Sequence, residues 1–350
     1  MAVTPVGPGT EATLLTRGHG VVTATTDRAR NYTGMSAAAT FPFELPVTVT
    51  IQEVGPRDGF QLEQRRIPTE AKVAIIDALS ASGLPAIQLT SFVRPEAVPQ
   101  LADADDVLRR IERNPAVDYS VLVPNLRGAE RAATFAVDTW ELMLSTTDAH
   151  SIANANRPTR EAFDRILPAI ELGQAEGARL VGVMATALGC PFEGRPAYDR
   201  IAWVVGLYAE AGVTCISIAD TAGLADPAHV HHVFAQLRRD FPGITFSVHL
   251  HNTRGLGMAN VLASIAAGVT IFDASIGGLG GCPYAPGASG NIATEELVHM
   301  LELLGITTGV DLDALIRIAR HEVAPVVDHS LESSFGRADP SWQLYPHPDA

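Results

Sequence analysis

The chain reads as an α/β protein, a (β/α)8 barrel with a few extra C-terminal helices. Three observations predict this. Eight short runs rich in β-branched residues recur along the chain, most of them followed by a longer helical pattern. Several of those patterns stop at a glycine, as in "SASG", "YAEAG" and "SIAAG", the residue that most easily closes a helix in the left-handed conformation. Ionisable side chains cluster where the β-rich runs end. Parallel strands with helical crossovers close most simply into a barrel, whose chemistry sits at the C-terminal ends of its strands. A doubly wound open sheet is the competing arrangement. No GxGxxG follows a strand, which weakens a dinucleotide-binding version of it.

Residues 1–45, rich in Ala, Thr and Gly without steady periodicity, read as a mostly disordered extension. Its arginines and hydroxyl residues also fit a mitochondrial transit peptide, a signal that Glu11, Asp27 and Glu44 dilute. The barrel is expected over 46–325. Its strands are "VTVTIQEV" (47–54), "AIQLTSF" (86–92), "DYSVLVP" (118–124), "TWELMLS" (139–145), "RLVGVMA" (179–185), "TCISIAD" (214–220), "TFSVHLH" (245–251) and "TIFDASI" (270–276). Helices are expected over 69–82, 159–176, 197–211, 227–240 and 256–267, with two more after 290. Residues 326–350 form a polar, Pro-containing tail.

Composition narrows the function. With 350 residues, 47% of them hydrophobic, the chain can bury a large core. A net charge of −14 argues against a nucleic-acid partner or an anionic membrane surface, and no run of apolar residues is long enough to span a bilayer. Three cysteines (Cys190, Cys215 and Cys282) suggest reduced thiols in a cytoplasmic protein, not a disulfide framework. Cys215 reads as a core residue, and Cys190 is ambiguous. Lys72 is the only lysine and lies in a helical pattern, so a Schiff-base mechanism has no obvious amine. A barrel doing carbon–carbon chemistry without one would stabilise its carbanion with a metal.

The strand ends supply the groups for that. In "VHLHN", His249 and His251 share one face of a strand and can hold one divalent cation, although two hydrogen-bonded histidines at a barrel mouth would read the same way. Asp58, after the first strand, can add a carboxylate, and Asn291, after the eighth, a carbonyl oxygen. Such N and O ligands suit Mg²⁺ or Mn²⁺ first, with Zn²⁺ or Co²⁺ as alternatives. Arg57 and Asp58 side by side are either a loop that happens to be polar or a cation and an anion aimed at one ligand. Gln88 and Ser91 fall on the second strand and Asp220 ends the sixth. Cys282 sits in "GGLGGCPYAPGASGN", where a loop thiol can act as acid or base, or simply fill space.

The segments "EVGPRDGFQ", "TSFV", "VPNLRGAERA", "ALGCPFEG", "DTAGLADP", "VHLHNTRGLGMAN" and "GGLGGCPYAPGASGNIATEELV", in that order, resemble the 3-hydroxy-3-methylglutaryl-CoA lyase family of the DRE-TIM metallolyase superfamily. The resemblance implies that Asp58, His249, His251 and Asn291 ligate the metal, and that Arg57 neutralises the enolate-forming thioester oxygen. It implies Cys282 as loop acid or base and Asp220 as a helper in proton transfer. Arg57, Gln88 and Ser91 would touch the acyl-CoA substrate. The implied reaction is retro-Claisen cleavage to acetyl-CoA and acetoacetate, as in leucine catabolism and ketone-body metabolism, by an expected homodimer. The competing functions are a Claisen condensing enzyme like the isopropylmalate synthases and a non-catalytic binding protein on a lyase barrel. The chain departs from the family pattern in three places. Gln88 stands where the family has Glu, Asp148 and His150 replace a Ser-Glu-x-Phe pattern, and Gln64 replaces a lysine. These point to a related branched thioester as a possible substrate, and Gln88→Glu is expected to raise cleavage of the methylglutaryl one.

Overall fold

The computed structural model describes residues 41–281 and 290–347. Eight parallel strands close into a barrel in sequence order, each paired with its two neighbours in the chain and β8 with β1. They are β1 (Thr50–Glu53), β2 (Ala86–Ser91), β3 (Asp118–Leu122), β4 (Thr139–Ser145), β5 (Arg179–Ala185), β6 (Cys215–Asp220), β7 (Thr245–Leu250) and β8 (Ile271–Ala274). The barrel expectation holds, and every strand lies inside its expected run.

The helices are α1 (Thr69–Ser80), α2 (Ala104–Arg110), α3 (Leu126–Ala133), α4 (Asp148–Ala155), α5 (Thr159–Ala175), α6 (Tyr198–Glu210), α7 (Pro227–Asp240), α8 (Gly257–Ala266), α9 (Thr294–Leu303) and α10 (Leu312–Ile318). The long ones match the amphipathic patterns. The short α2, α3 and α4 do not appear among the sequence expectations, because seven or eight residues give too few turns for a readable stripe. α3 begins where the Asn125 side chain accepts from the Gly128 N–H at 3.1 Å.

Two chemically different shells follow from the alternation of side chains along each strand. Outward residues such as Ile87, Val121, Leu142, Ile216, Ile218, Val248 and Phe272 are buried against the helices. Gly182 in β5 leaves room for Tyr208 of α6, since a Cβ there would lie 2.8 Å from the ring, and the Tyr208 hydroxyl donates to the Leu142 carbonyl at 2.7 Å. The inward shell is polar. Gln52 of β1 reaches Glu141 of β4 at 2.7 Å, and Ser217 of β6 reaches Asp273 of β8 at 3.4 Å. Neither pair of strands is adjacent, so these side chains meet through the lumen.

Cys215 belongs to the inward shell. It shares parity with Ser217, not with Ile216 and Ile218, and is half-buried at the lower end of β6, which corrects its assignment to the apolar core. Burial, then the Asp273 and Glu141 carboxylates, pushes its thiol up to about 12, so it stays neutral. Cys190 is buried in the loop after β5, where the Thr147 hydroxyl meets its sulfur at 3.0 Å. Lys72 of α1 is 2% exposed; its ammonium donates to the Gln100 carbonyl and to Asp103 Oδ1, the latter at 2.7 Å. Among the described residues no helix is long and apolar enough to cross a membrane.

Candidate metal centre

β1 ends in a tight turn, Gly55–Gly59, in which the N–H groups of Arg57, Asp58 and Gly59 all donate to the Val54 carbonyl. The turn swings Arg57 and Asp58 over the C-terminal mouth of the barrel, where both are buried. It is held from beneath by Glu53. One Glu53 carboxylate oxygen accepts from the N–H of Gly55 at 2.7 Å and of Ile276 at 2.8 Å; the other accepts from the Thr294 hydroxyl at 2.6 Å. Glu53 thus ties the first strand end to the segment after β8. Burial pushes its carboxyl up to about 7 against those donors, and burial likewise pushes Glu295, which accepts from the Gly277 N–H, up to about 7.

His249 and His251 lie on one face of the chain at the end of β7, with ring Nε2 atoms 3.1 Å apart. His249 Nε2 is 3.9 Å from Asp58 Oδ2, and ligand atoms of Asp58, His249 and His251 all fall within 4.8 Å of one another. Asp273 of β8, paired with His249 in register, accepts from His249 Nδ1 at 3.2 Å. A carboxylate on Nδ1 fixes the tautomer and leaves the Nε2 lone pair aimed at the cluster, the outer-shell arrangement of a metal-binding imidazole. The Asn291 amide donates to Asp58 Oδ2 at 2.8 Å and to the Leu279 carbonyl at 3.0 Å. Its own Oδ1 is buried without a partner among the described residues, and so is His251 Nδ1.

These groups fit a divalent cation. Two facing imidazole nitrogens, one carboxylate and one unpartnered amide oxygen make a compact N and O donor set. The electrostatics agree. Burial opposes charge on Asp58, but Arg57 first, then His249, His251 and the Asn291 amide outweigh it and hold the carboxyl down at about 2. Burial and then His249 hold His251 down at about 3, so that imidazole is neutral and free to donate its lone pair. Burial also works to lower His249, but the hydrogen bond to Asp273 and the charge of Asp58 raise it above the ordinary imidazole value.

The sequence of residues 48–321 matches the family described as HMGL-like. The chain belongs to the HMGL-like family. This HMGL-like chain is 42% identical over 272 residues to the mitochondrial hydroxymethylglutaryl-CoA lyase of Mus musculus, covering 78% of this chain and 84% of that one. It is 40% identical over 275 residues to the hydroxymethylglutaryl-CoA lyase YngG of Bacillus subtilis, covering 79% and 92%. Among solved structures, an HMG-CoA lyase from Acinetobacter baumannii in complex with coenzyme A and 3-methylmalate superposes with a TM-score of 0.82 at 39% identity, covering 86% and 98%.

The HMGL-like barrel gathers Arg57, Asp58, Gln88, His249, His251 and Asn291 at one end. Asp220 and Ser91 lie at the same end, as the last residues of β6 and β2, and engage backbone groups there. Asp220 closes the turn after β6, its carboxylate accepting from the N–H of Leu224 at 2.8 Å and Ala225 at 3.1 Å, and burial raises its carboxyl. The Ser91 hydroxyl donates to the Leu122 carbonyl at 3.3 Å. Cys282 lies outside the described residues. Of the departures, Asp148 serves Arg200 at 2.7 Å and the Thr159 N–H at 2.9 Å, His150 is buried beside the Ser145 hydroxyl at 2.8 Å, and Gln64 is exposed.

Sequence reasoning missed the inward polar residues Gln52, Ser120, Glu141 and Asp273, and Glu53, which faces the segment after β8. All are polar residues set inside β-rich runs that are otherwise largely apolar. That signal was available, but it points to the lumen only once the barrel is closed.

Proposed function

We propose that the chain is a metal-dependent carbon–carbon lyase that cleaves 3-hydroxy-3-methylglutaryl-CoA, or a close branched relative, to acetyl-CoA and a 3-oxo acid such as acetoacetate. The observation that carries this reading is Arg57 placed directly beside a buried Asp58–His249–His251 cluster whose His249 is oriented by Asp273. The HMG-CoA lyase from Acinetobacter baumannii, in complex with coenzyme A and 3-methylmalate, supports the acyl-CoA substrate class.

Asp58, His249, His251 and Asn291 would hold the cation, with Mg²⁺ or Mn²⁺ preferred for a site half made of oxygens. Bound there, it supplies Lewis acidity toward the substrate's oxygens. The remaining work belongs to the chain. Arg57, a permanent cation in a buried site, faces the negative charge that develops on the thioester oxygen as the carbon–carbon bond breaks. A group able to exchange protons takes the tertiary hydroxyl proton and returns one to the acetyl-CoA enolate carbon. Cys282 and Asp220 are the groups we assign to that exchange. Gln88 and Ser91 line the substrate side. The unpaired Cys190 and Cys215 accord with a reducing, cytoplasmic setting, and a homodimer is the assembly we expect.

Acetyl-CoA release from a panel of branched 3-hydroxyacyl-CoA thioesters, read by mass spectrometry with metal-loaded and chelated protein, tests the reading. Cleavage of at least one thioester, lost in chelator, is the expected result. Equal turnover without metal, or none with any thioester, sinks it.

A further inference from the structure

Gln88 is fully buried on β2 with both ends of its amide engaged. Its Oε1 accepts from Arg57 Nε, and its Nε2 donates to Glu141 Oε2. The other Glu141 oxygen accepts from Gln52 Nε2 and from the Ser120 hydroxyl, each at 2.7 Å. Arg57 also donates through Nη1 to Asp58 at 2.5 Å. A guanidinium is planar, so two anchored nitrogens fix its plane. One anchor is the proposed metal ligand. The other is a neutral amide whose orientation is set from β4.

The direction of this chain of bonds depends on Glu141. Burial and then Asp273 push the Glu141 carboxyl up, yet every side chain that meets its oxygens is placed to donate, as to an ionised carboxylate: Gln88 at one oxygen, Gln52 and Ser120 at the other. That forces the Gln88 NH₂ toward Glu141 and its carbonyl toward Arg57. We propose that Glu141 is a positioning residue of the site: by dictating which way the Gln88 amide points, it aims Arg57, and position 88 needs no carboxylate of its own. The inference rests on the lyase reading for its activity assay.

It reverses the gain expected from Gln88→Glu. A glutamate at that position would still accept from Arg57, but would set two buried carboxylates within hydrogen-bond reach of each other. Glu141→Gln fails for the mirror reason. With its carbonyl on Gln88 Nε2, a glutamine there turns its NH₂ to Gln52 and Ser120, so the Gln52 amide must flip and the Ser120 hydroxyl must turn to accept; with its NH₂ on Gln88, the Gln88 amide must flip and set its own NH₂ against Arg57, a donor. The exchange Gln88→Glu/Glu141→Gln restores every pairing. The carboxylate introduced on β2 would accept from Arg57 and from the new amide on β4, whose carbonyl accepts from Gln52 and Ser120.

The test compares four full-length, metal-loaded proteins: the parent, each single variant and the double. Each single variant should lose roughly 10- to 100-fold in kcat with KM within about threefold, because Arg57 acts on charge present only in the transition state. Metal content should stay at the parent level. The double variant should return to within about threefold of the parent. Single variants with parental kcat, or a folded, metal-bound double variant no better than the worse single, overturn the proposal. A single variant that fails to fold beside an active double supports it. If the parent cleaves no thioester, the lyase reading fails alone. The same four proteins then report the relay by thermal melting, with each single at least about 3 °C below the parent and the double level with it; four equal melting temperatures overturn it.

Discussion

At His249 a proton and a cation compete for one lone pair. Asp273 and Asp58 raise its basicity, so without metal the ring keeps its proton above the ordinary imidazole range. Loading the site must expel that proton, and metal affinity should therefore climb with pH across that window and level off above it. Titration with Mn²⁺ between about pH 6 and about pH 8 measures this; a flat profile would mean that His249 is no ligand. Asp273→Asn removes the acceptor that fixes the tautomer and should weaken binding roughly 10- to 100-fold. Glu53 makes a different prediction. Its folded pKa, about 7, exceeds the ordinary 4.5, so its contribution to stability is complete below 4.5 and is lost as pH rises through about 7. Glu53→Gln keeps both backbone donors on its carbonyl and gives its NH₂ to the Thr294 hydroxyl. It should fold normally and flatten part of that slope, Glu295 retaining the rest. Glu53→Ala orphans two buried N–H groups and should cost about 3 kcal/mol in urea unfolding. His249 and His251 were legible in the sequence because their spacing puts them on one face. Glu53 and Glu141 were not, because their partners lie 241 and 89 residues away.

The element that completes the site is the segment leaving β8. Gly280 has φ +118°, and a Cβ on it would stand 2.5 Å from Asn291 Nδ2 and 3.3 Å from Asp58 Oδ2. Gly280→Ala should therefore push Asn291 off its place and lower metal affinity by roughly tenfold or more, an outer-shell magnitude, with the fold kept. Calorimetric titration with Mn²⁺ decides it. A few residues on, Cys282→Ala tests proton transfer separately: metal binding unchanged, turnover down by roughly 10²–10⁴. Normal turnover in that variant returns Cys282 to a space-filling role. The glycines of "GGLGGCPYAPGASGN" permit a segment that approaches something closely. It did not say what, since the neighbour is brought in by the turn after β1, 233 residues away along the chain.

For the molecule as a whole, the repeating strand–helix rhythm was enough to foresee a closed barrel, because eight parallel strands need no long-range information to choose their neighbours. The polar lumen was not foreseeable in the same way. It exists because inward residues from opposite walls meet only after closure. Outside the lumen one further buried polar contact bears on how this protein lives with its substrate. Lys72 is the only lysine of 350 residues, and its ammonium is enclosed by Gln100 and Asp103. Thioesters acylate exposed amines without any enzyme, and burial lowers the basicity of this one further. A protein that handles acyl-CoA all its life thus offers its own reactive cargo no accessible side-chain amine. Treatment of the folded protein with an amine-reactive ester should label the α-amino group alone, and Lys72 should join only once urea has opened the fold. A barrel whose surface carries its permanent positive charge as guanidinium is proofed against slow self-acylation.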